Sequence, residues 1–213
     1  RFVLLSDESA ALRALAVGQM AGDSSAGALD AIRSALRDPE SGVRTSALLT
    51  LARRDSAHVA PIARSMFETD PNDAVRTAAL GAYARAAGAT ASPVLLGATA
   101  VGLPTNMRAT AAFQLGRLKD PRAADALERL TAPSEPRNLR GTALNALASL
   151  SDSSRARAVA TRGLADYDPL FAVQAATVLG RIGGPEGRAT LPRALATEPR
   201  VTVKAAITRA LGR

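Results

Sequence analysis

Asp38-Pro39-Glu40-Ser41-Gly42-Val43-Arg44-Thr45-Ser46-Ala47-Leu48-Leu49-Thr50-Leu51 is one copy of a pattern that returns every 32 residues. Its basic residue recurs as Arg44, Arg76, Arg108, Arg140, then Ala172, then Lys204. An apolar residue precedes each: Val43, Val75, Met107, Leu139, Phe171 and Val203. Three and seven residues further on stand pairs such as Ala47 and Leu51, Ala111 and Leu115, and Ala143 and Leu147. Positions −1, +3 and +7 share one face of an α-helix, so the pattern describes a helix with one apolar stripe and a cation at its edge. A period held over five intervals means an array of stacked supersecondary units.

The helices fall into two sets. One spans 25–37, 57–68, 91–102, 121–131, 153–165 and 185–196. The other, which carries the periodic Arg, spans 38–54, 70–86, 104–118, 136–150, 168–182 and 199–212. A further helix of the second type, 7–21, precedes them, with Leu12-Arg13 in the place of Val43-Arg44 and Arg1–Ser6 before it. Asp38-Pro39, Asp70-Pro71 and Glu198-Pro199 place an acidic cap before a Pro that lacks only an already unpaired N–H. Gly88 and the Gly183-Gly184-Pro185 run are stop signals. No alternation at period two argues for a strand, so the chain is predicted to be all-α. The fold prediction is a single array over 1–213 of about six and a half repeats.

Composition narrows the core and the chemistry. Apolar residues make up 47% of the 213 but aromatics only 3%, with no Trp and no Cys, so the core is aliphatic and thin. Disulfides and thiolate metal sites are excluded. No uncharged apolar run reaches the 18 or so residues of a membrane span, so the chain is expected to be soluble. The net charge is +8 and the isoelectric point about 11.2. Only Lys119 and Lys204 are lysines, so the positive charge is almost all Arg. A GC-rich bacterial genome would give that bias, and so would a surface built for an anionic partner. A second basic row lies at position +9: Arg53, Arg85, Arg117, Ser149, Arg181 and Arg213. It would complement the helix dipoles, or form a basic stripe.

Asp-Pro-x-x-x-Val-Arg-x-x-Ala-x-x-x-Leu, present from Asp38 and again from Asp70 with Tyr83 in the Leu position, resembles the HEAT repeat. The likeness is to the short form named after phycobilin lyases, and it covers nearly the whole chain. The resemblance implies a right-handed α-solenoid of HEAT-like helix pairs, with the Val-Arg helices lining a concave side. It also implies that a turn acid bonds the Arg of the same or the next repeat, which makes Asp38, Arg44, Asp70 and Arg76 a structural ladder. Six residues before each Arg, the acidic position reads Asp38, Asp70, Gly102, Ser134, Asp166 and Glu198. Arg108 and Arg140 thus lack the acid, unless Glu135 substitutes for one, and become candidates for binding something else.

Catalytic equipment is scarce. His58 is the only histidine, which precludes a multi-His metal site. Gly180, Gly183, Gly184 and Gly187 join two helices, whereas phosphate-binding loops of this kind follow a strand. Some alkylpurine DNA glycosylases share the HEAT-like fold, but the stacking aromatics such sites need are nearly absent. Two readings remain. One is a non-catalytic scaffold, without cofactor or metal, that binds a protein partner of acidic character through its concave Thr/Ala-rich face. The other is a C-terminal accessory domain of a larger enzyme such as a gluzincin aminopeptidase, or a nucleic-acid-backbone binder. A first repeat that begins midway suggests a longer polypeptide, in a bacterial cytoplasm or periplasm. The residues assigned to partner binding are Arg85, Arg108, Thr110, Phe113, Arg117, Arg140 and Thr142.

Overall fold

The −1, +3, +7 stripe is buried at every repeat, apart from a half-buried Leu211, and it organises the whole molecule. The computed structural model describes residues 6–212, without the side chains of Ala26, Glu186 and Arg188. Arg1–Leu5 and Arg213, for which the sequence offered readings, lie outside the described residues. Among the described residues there is no strand. The helix α1 (Ala10–Gln19) belongs to the Arg-bearing type. After it, the first-set helices are α2 (Ala26–Ala35), α4 (Val59–Thr69), α6 (Ser92–Gly97), α8 (Ala124–Arg129), α10 (Ser154–Gly163) and α12 (Gly184–Thr197). The second-set helices are α3 (Ser41–Arg54), α5 (Asp73–Ala87), α7 (Thr105–Leu118), α9 (Arg137–Leu147), α11 (Pro169–Ile182) and α13 (Val201–Ala210).

Two expectations about helix ends are corrected. The first-set helices α6 and α8 are much shorter than 91–102 and 121–131: α6 ends at Gly97 and gives way to turns, and a 3-10 turn over Pro121–Ala123 takes the start of α8. Asp38, Asp70 and Glu198 do not cap helices either. Each carboxylate accepts the N–H two residues ahead, from Glu40, Asn72 and Arg200, at 2.9 Å. That local bond closes a turn around the proline, and the helix begins only after it. At α5 the cap passes to Asn72, whose side chain accepts from Ala74 and Val75. At Asp168-Pro169 the helix begins at the proline itself, with Asp168 as its N-cap and Oδ1 accepting from Leu170 N at 3.0 Å.

The chain divides into two compact units, residues 1–93 and 94–213. In the N-terminal unit α1, α3 and α5 form a row, with α2 packed on α3 and α4 on α5. In the C-terminal unit the row is α7, α9, α11 and α13, backed by α8, α10 and α12. Small residues set the spacing of this second row. A Cβ on Gly116 would stand 2.6 Å from the Cα of Ala146, so α7 and α9 pass almost backbone to backbone. Gly180 meets Ala210 in the same way between α11 and α13, with 3.0 Å to its Cα. An Ala-rich core therefore gains its dispersion energy from close helix approach instead of from large side chains.

Candidate functional site

At Arg13, Arg44, Arg108 and Arg140 the edge cation of the stripe finds a carboxylate from the following repeat. In the N-terminal unit Arg13 Nε and Nη2 donate to Asp38 at 2.8 and 2.9 Å. Arg44 Nε and Nη2 donate to Asp70, both at 2.8 Å. Nη1 of each turns back to backbone carbonyls, those of Asp7 and Glu8 for Arg13 and those of Asp38 and Pro39 for Arg44. These guanidinium hydrogen bonds hold the carboxyls of Asp38 and Asp70 below the ordinary range, against the opposing effect of burial. Asp38 thus serves Arg13, and Arg44 meets it only through the backbone carbonyl.

At Arg108 and Arg140, in the C-terminal unit, the fork is turned. Arg108 Nη1 and Nη2 grip Glu135 at 2.8 and 2.6 Å, while Nε donates to Thr99 O at 3.3 Å. Arg140 Nη1 and Nη2 bond Asp166, Nε donates to Thr131 O, and the guanidinium lies 3.9 Å from the centre of the Phe171 ring. Their exposures are 6% and 1%. Glu135 does substitute as partner of Arg108, as the sequence left open, Asp166 serves Arg140, and the expectation that these two guanidinium groups are open to a ligand is overturned. Both are fully engaged structural residues, since the acid sits 26 or 27 residues after the Arg instead of six before it.

Arg76 is the residue whose acid is missing, because Gly102 holds that position. Its Nε turns to Phe67 O and its Nη1 to Asp73, both at 3.0 Å. At the last interval Ala172 is buried and Lys204 exposed. There Arg200, which the period does not mark, takes over: it bonds Glu198 and the carbonyls of Leu164 and Asp166. Arg200 holds the Glu198 carboxyl down to about 2, against burial. The signal for this substitution was only an Arg two residues after an acid.

The +9 row behaves differently. Arg53, Arg85, Arg117, Ser149 and Arg181 are all exposed. The four arginines stand in the last turns of α3, α5, α7 and α11, where they complement the helix dipole. Arg117 Nε donates to Gln114 at 2.9 Å and Arg181 reaches Asn145 at 3.4 Å. In the C-terminal unit Phe113, one turn before Arg117, is 58% exposed, and Leu170, in the first turn of α11, is 55% exposed. Thr110 and Thr142 are half-buried between the stripe and solvent, and the Thr142 hydroxyl donates to Asn138 O. The helices α7, α9, α11 and α13 contain no Asp or Glu at all. Of the residues assigned to partner binding, Phe113 and Arg117 share this surface, while Arg85 is exposed in the N-terminal unit.

His58 Nδ1 sits 2.7 Å from Asp55 Oδ1 with its ring 78% exposed. Among the described residues no group of three or more His, Cys, Asp or Glu is arranged to hold a metal ion. No described helix is long and apolar enough to cross a membrane.

Comparison with known proteins addresses the fold. The family model for HEAT repeats matches residues 2–84 and 130–212. Among solved structures, the complex of CpcE and CpcF of phycocyanin lyase from a Nostoc species is similar with a TM-score of 0.57 at 17% identity, over 99% of this chain and 91% of that one. Human deoxyhypusine hydroxylase, in complex with glycerol, gives a TM-score of 0.49 at 22% identity, over 98% of this chain and 81% of that one. No curated protein matches the chain.

Proposed function

Because the chain belongs to the HEAT-repeat family, we propose that it is a non-catalytic scaffold that binds an acidic protein partner on the exposed face of its Arg-bearing helices. The observation that carries this reading is the C-terminal unit's row of α7, α9, α11 and α13, whose helices expose Arg117, Arg181, Phe113 and Leu170 and contain no carboxylate. Arg forms bidentate bonds with carboxylates, and an exposed Phe supplies the apolar anchor that protein interfaces favour. The docking residues are then Phe113, Arg117, Leu170 and Arg181, with Thr110 and Thr142 as flanking contact area. Arg108 and Arg140 hold the helices in place beneath them.

Affinity capture with the whole chain at near-physiological salt tests the proposal, run beside an Arg117→Glu/Arg181→Glu variant. A partner retained by the former and lost by the latter is the expected result, with circular dichroism unchanged. Tight binding of double-stranded DNA at the same salt, falling steeply as salt rises, would instead make this a phosphate-backbone surface and overturn the proposal.

A further inference from the structure

A second surface lies in the N-terminal unit, on the other set of helices. Between α2 and α4, at the end where each helix turns toward its partner, runs a groove of about 840 Å³. Its floor is apolar: Leu36 and Ile62 are half-buried and Met66 is 9% exposed. That volume lies in the range of sites that hold several side chains or a small ligand.

The charges around the groove are unevenly satisfied. Two carboxylates line it, Asp38 and Asp70. Each already accepts three hydrogen bonds, two from the fork of Arg13 or Arg44 and one from a backbone N–H two residues ahead. They have little capacity left for another cation. Two arginines stand on the rim, and both are exposed. Arg33 is drawn loosely toward Asp55 at 3.5 Å. Arg37 has no side-chain hydrogen bond or ion pair among the described residues. The groove thus joins an apolar floor to an unspent guanidinium, with its local acids already occupied.

We propose that this groove binds a short acidic segment of a partner protein, apolar side chains resting on Leu36, Ile62 and Met66 and a carboxylate held by Arg37 with Arg33 beside it. Charge complementarity selects the occupant. A basic segment would meet only carboxylates that are already bonded, and a purely apolar one would bury Arg37 without a counter-charge, which is costly. An open groove with half-buried floor residues also suits a chain laid across it better than an enclosed small molecule. The surface is independent of the one on α7–α13, so either can exist without the other.

Fluorescence anisotropy with a short fluorescein-labelled peptide of alternating Leu and Glu tests it. The titration uses the full chain carrying Arg117→Glu/Arg181→Glu, so that the other surface is absent from the readout. Saturable binding is expected. Arg37→Glu should weaken it about tenfold or more and Arg37→Gln by less, as loss of a charge-assisted fork requires. Ile62→Ser should weaken it severalfold, and a peptide with Gln in place of Glu should bind as poorly as the Arg37→Glu pairing. Circular dichroism of Arg37→Glu should match the parent, since this side chain is exposed. No saturable binding, or binding indifferent to both Arg37→Glu and Ile62→Ser, overturns the proposal. So does an equal loss on reversing a distant exposed arginine such as Arg53, which would mean diffuse attraction instead of a site.

Discussion

Two pairs of ladder arginines, Arg13 and Arg44 in the N-terminal unit and Arg108 and Arg140 in the C-terminal unit, solve one problem, a cation at the edge of an apolar stripe, in different ways. In the N-terminal unit Arg13 and Arg44 present Nε and Nη2 side-on to the acid and leave Nη1 for turn carbonyls just upstream. In the C-terminal unit Arg108 and Arg140 present Nη1 and Nη2 end-on, and Nε secures a carbonyl nine residues upstream. The turned fork goes with deeper burial: the side chains of Arg44 and Arg140 are 11% and 2% exposed. A planar donor with five N–H groups can be satisfied in either orientation, which a lysine could not do. A repeated residue type therefore fixes a repeated role without fixing a repeated geometry.

The largest expected effect separates the two forks. Arg140→Ala strands Asp166 in a buried site and leaves Phe171 without its cation, and should cost roughly 3–5 kcal/mol in urea unfolding. Arg44→Ala removes charge-assisted bonds nearer to water and should cost roughly 1.5–3 kcal/mol. Equal losses would mean that orientation and burial of the fork do not matter. The close helix row gives the next test. Gly116→Ala pushes a methyl into Ala146 and should cost roughly 1–3 kcal/mol by overpacking. Gly42→Ala, with nothing within 4 Å of its added Cβ, should change stability by no more than about 0.5 kcal/mol.

Acid probes the ladder from the carboxylate side. The folded-state values of Asp38, Asp70 and Glu198 lie below their ordinary ones, so the unfolded chain binds protons more readily. Their contribution is fully present above the ordinary carboxylate range and is lost as pH falls through the folded values. For Glu198 that window runs from 4.5 down to about 2. Urea midpoints of the parent should fall across it, and Glu198→Gln should flatten the decline. A decline of the same steepness in that variant would remove Glu198 from the account. The smallest effect belongs to the exposed row: Arg85→Ala and Arg53→Ala should shift stability by no more than about 0.5 kcal/mol. A larger loss from either would make the +9 row structural, like the ladder.

The sequence by itself determined the helix pairs, the buried stripe and the exposed +9 row. These are set by periodicity along one chain segment, where the 3.6-residue turn converts spacing directly into a face. Its ladder was right in residue type and wrong in pairing. Arg108 and Arg140 seemed to lack the acid six residues upstream; Glu135, the substitute the sequence left open for one of them, meets Arg108, and Asp166 approaches Arg140 from the next repeat. Asp38 and Asp70 seemed to be caps because an Asp-Pro step at a helix start usually is one, but their carboxylates bond an incoming guanidinium and the N–H two residues ahead, and the helices start further downstream. The stand-in by Arg200 and the unspent Arg37 above an apolar groove were likewise invisible. Which carboxylate meets which guanidinium depends on how one repeat lies on the next, and that is set by close packing of small residues such as Gly116 on Ala146, not by spacing within any one helix.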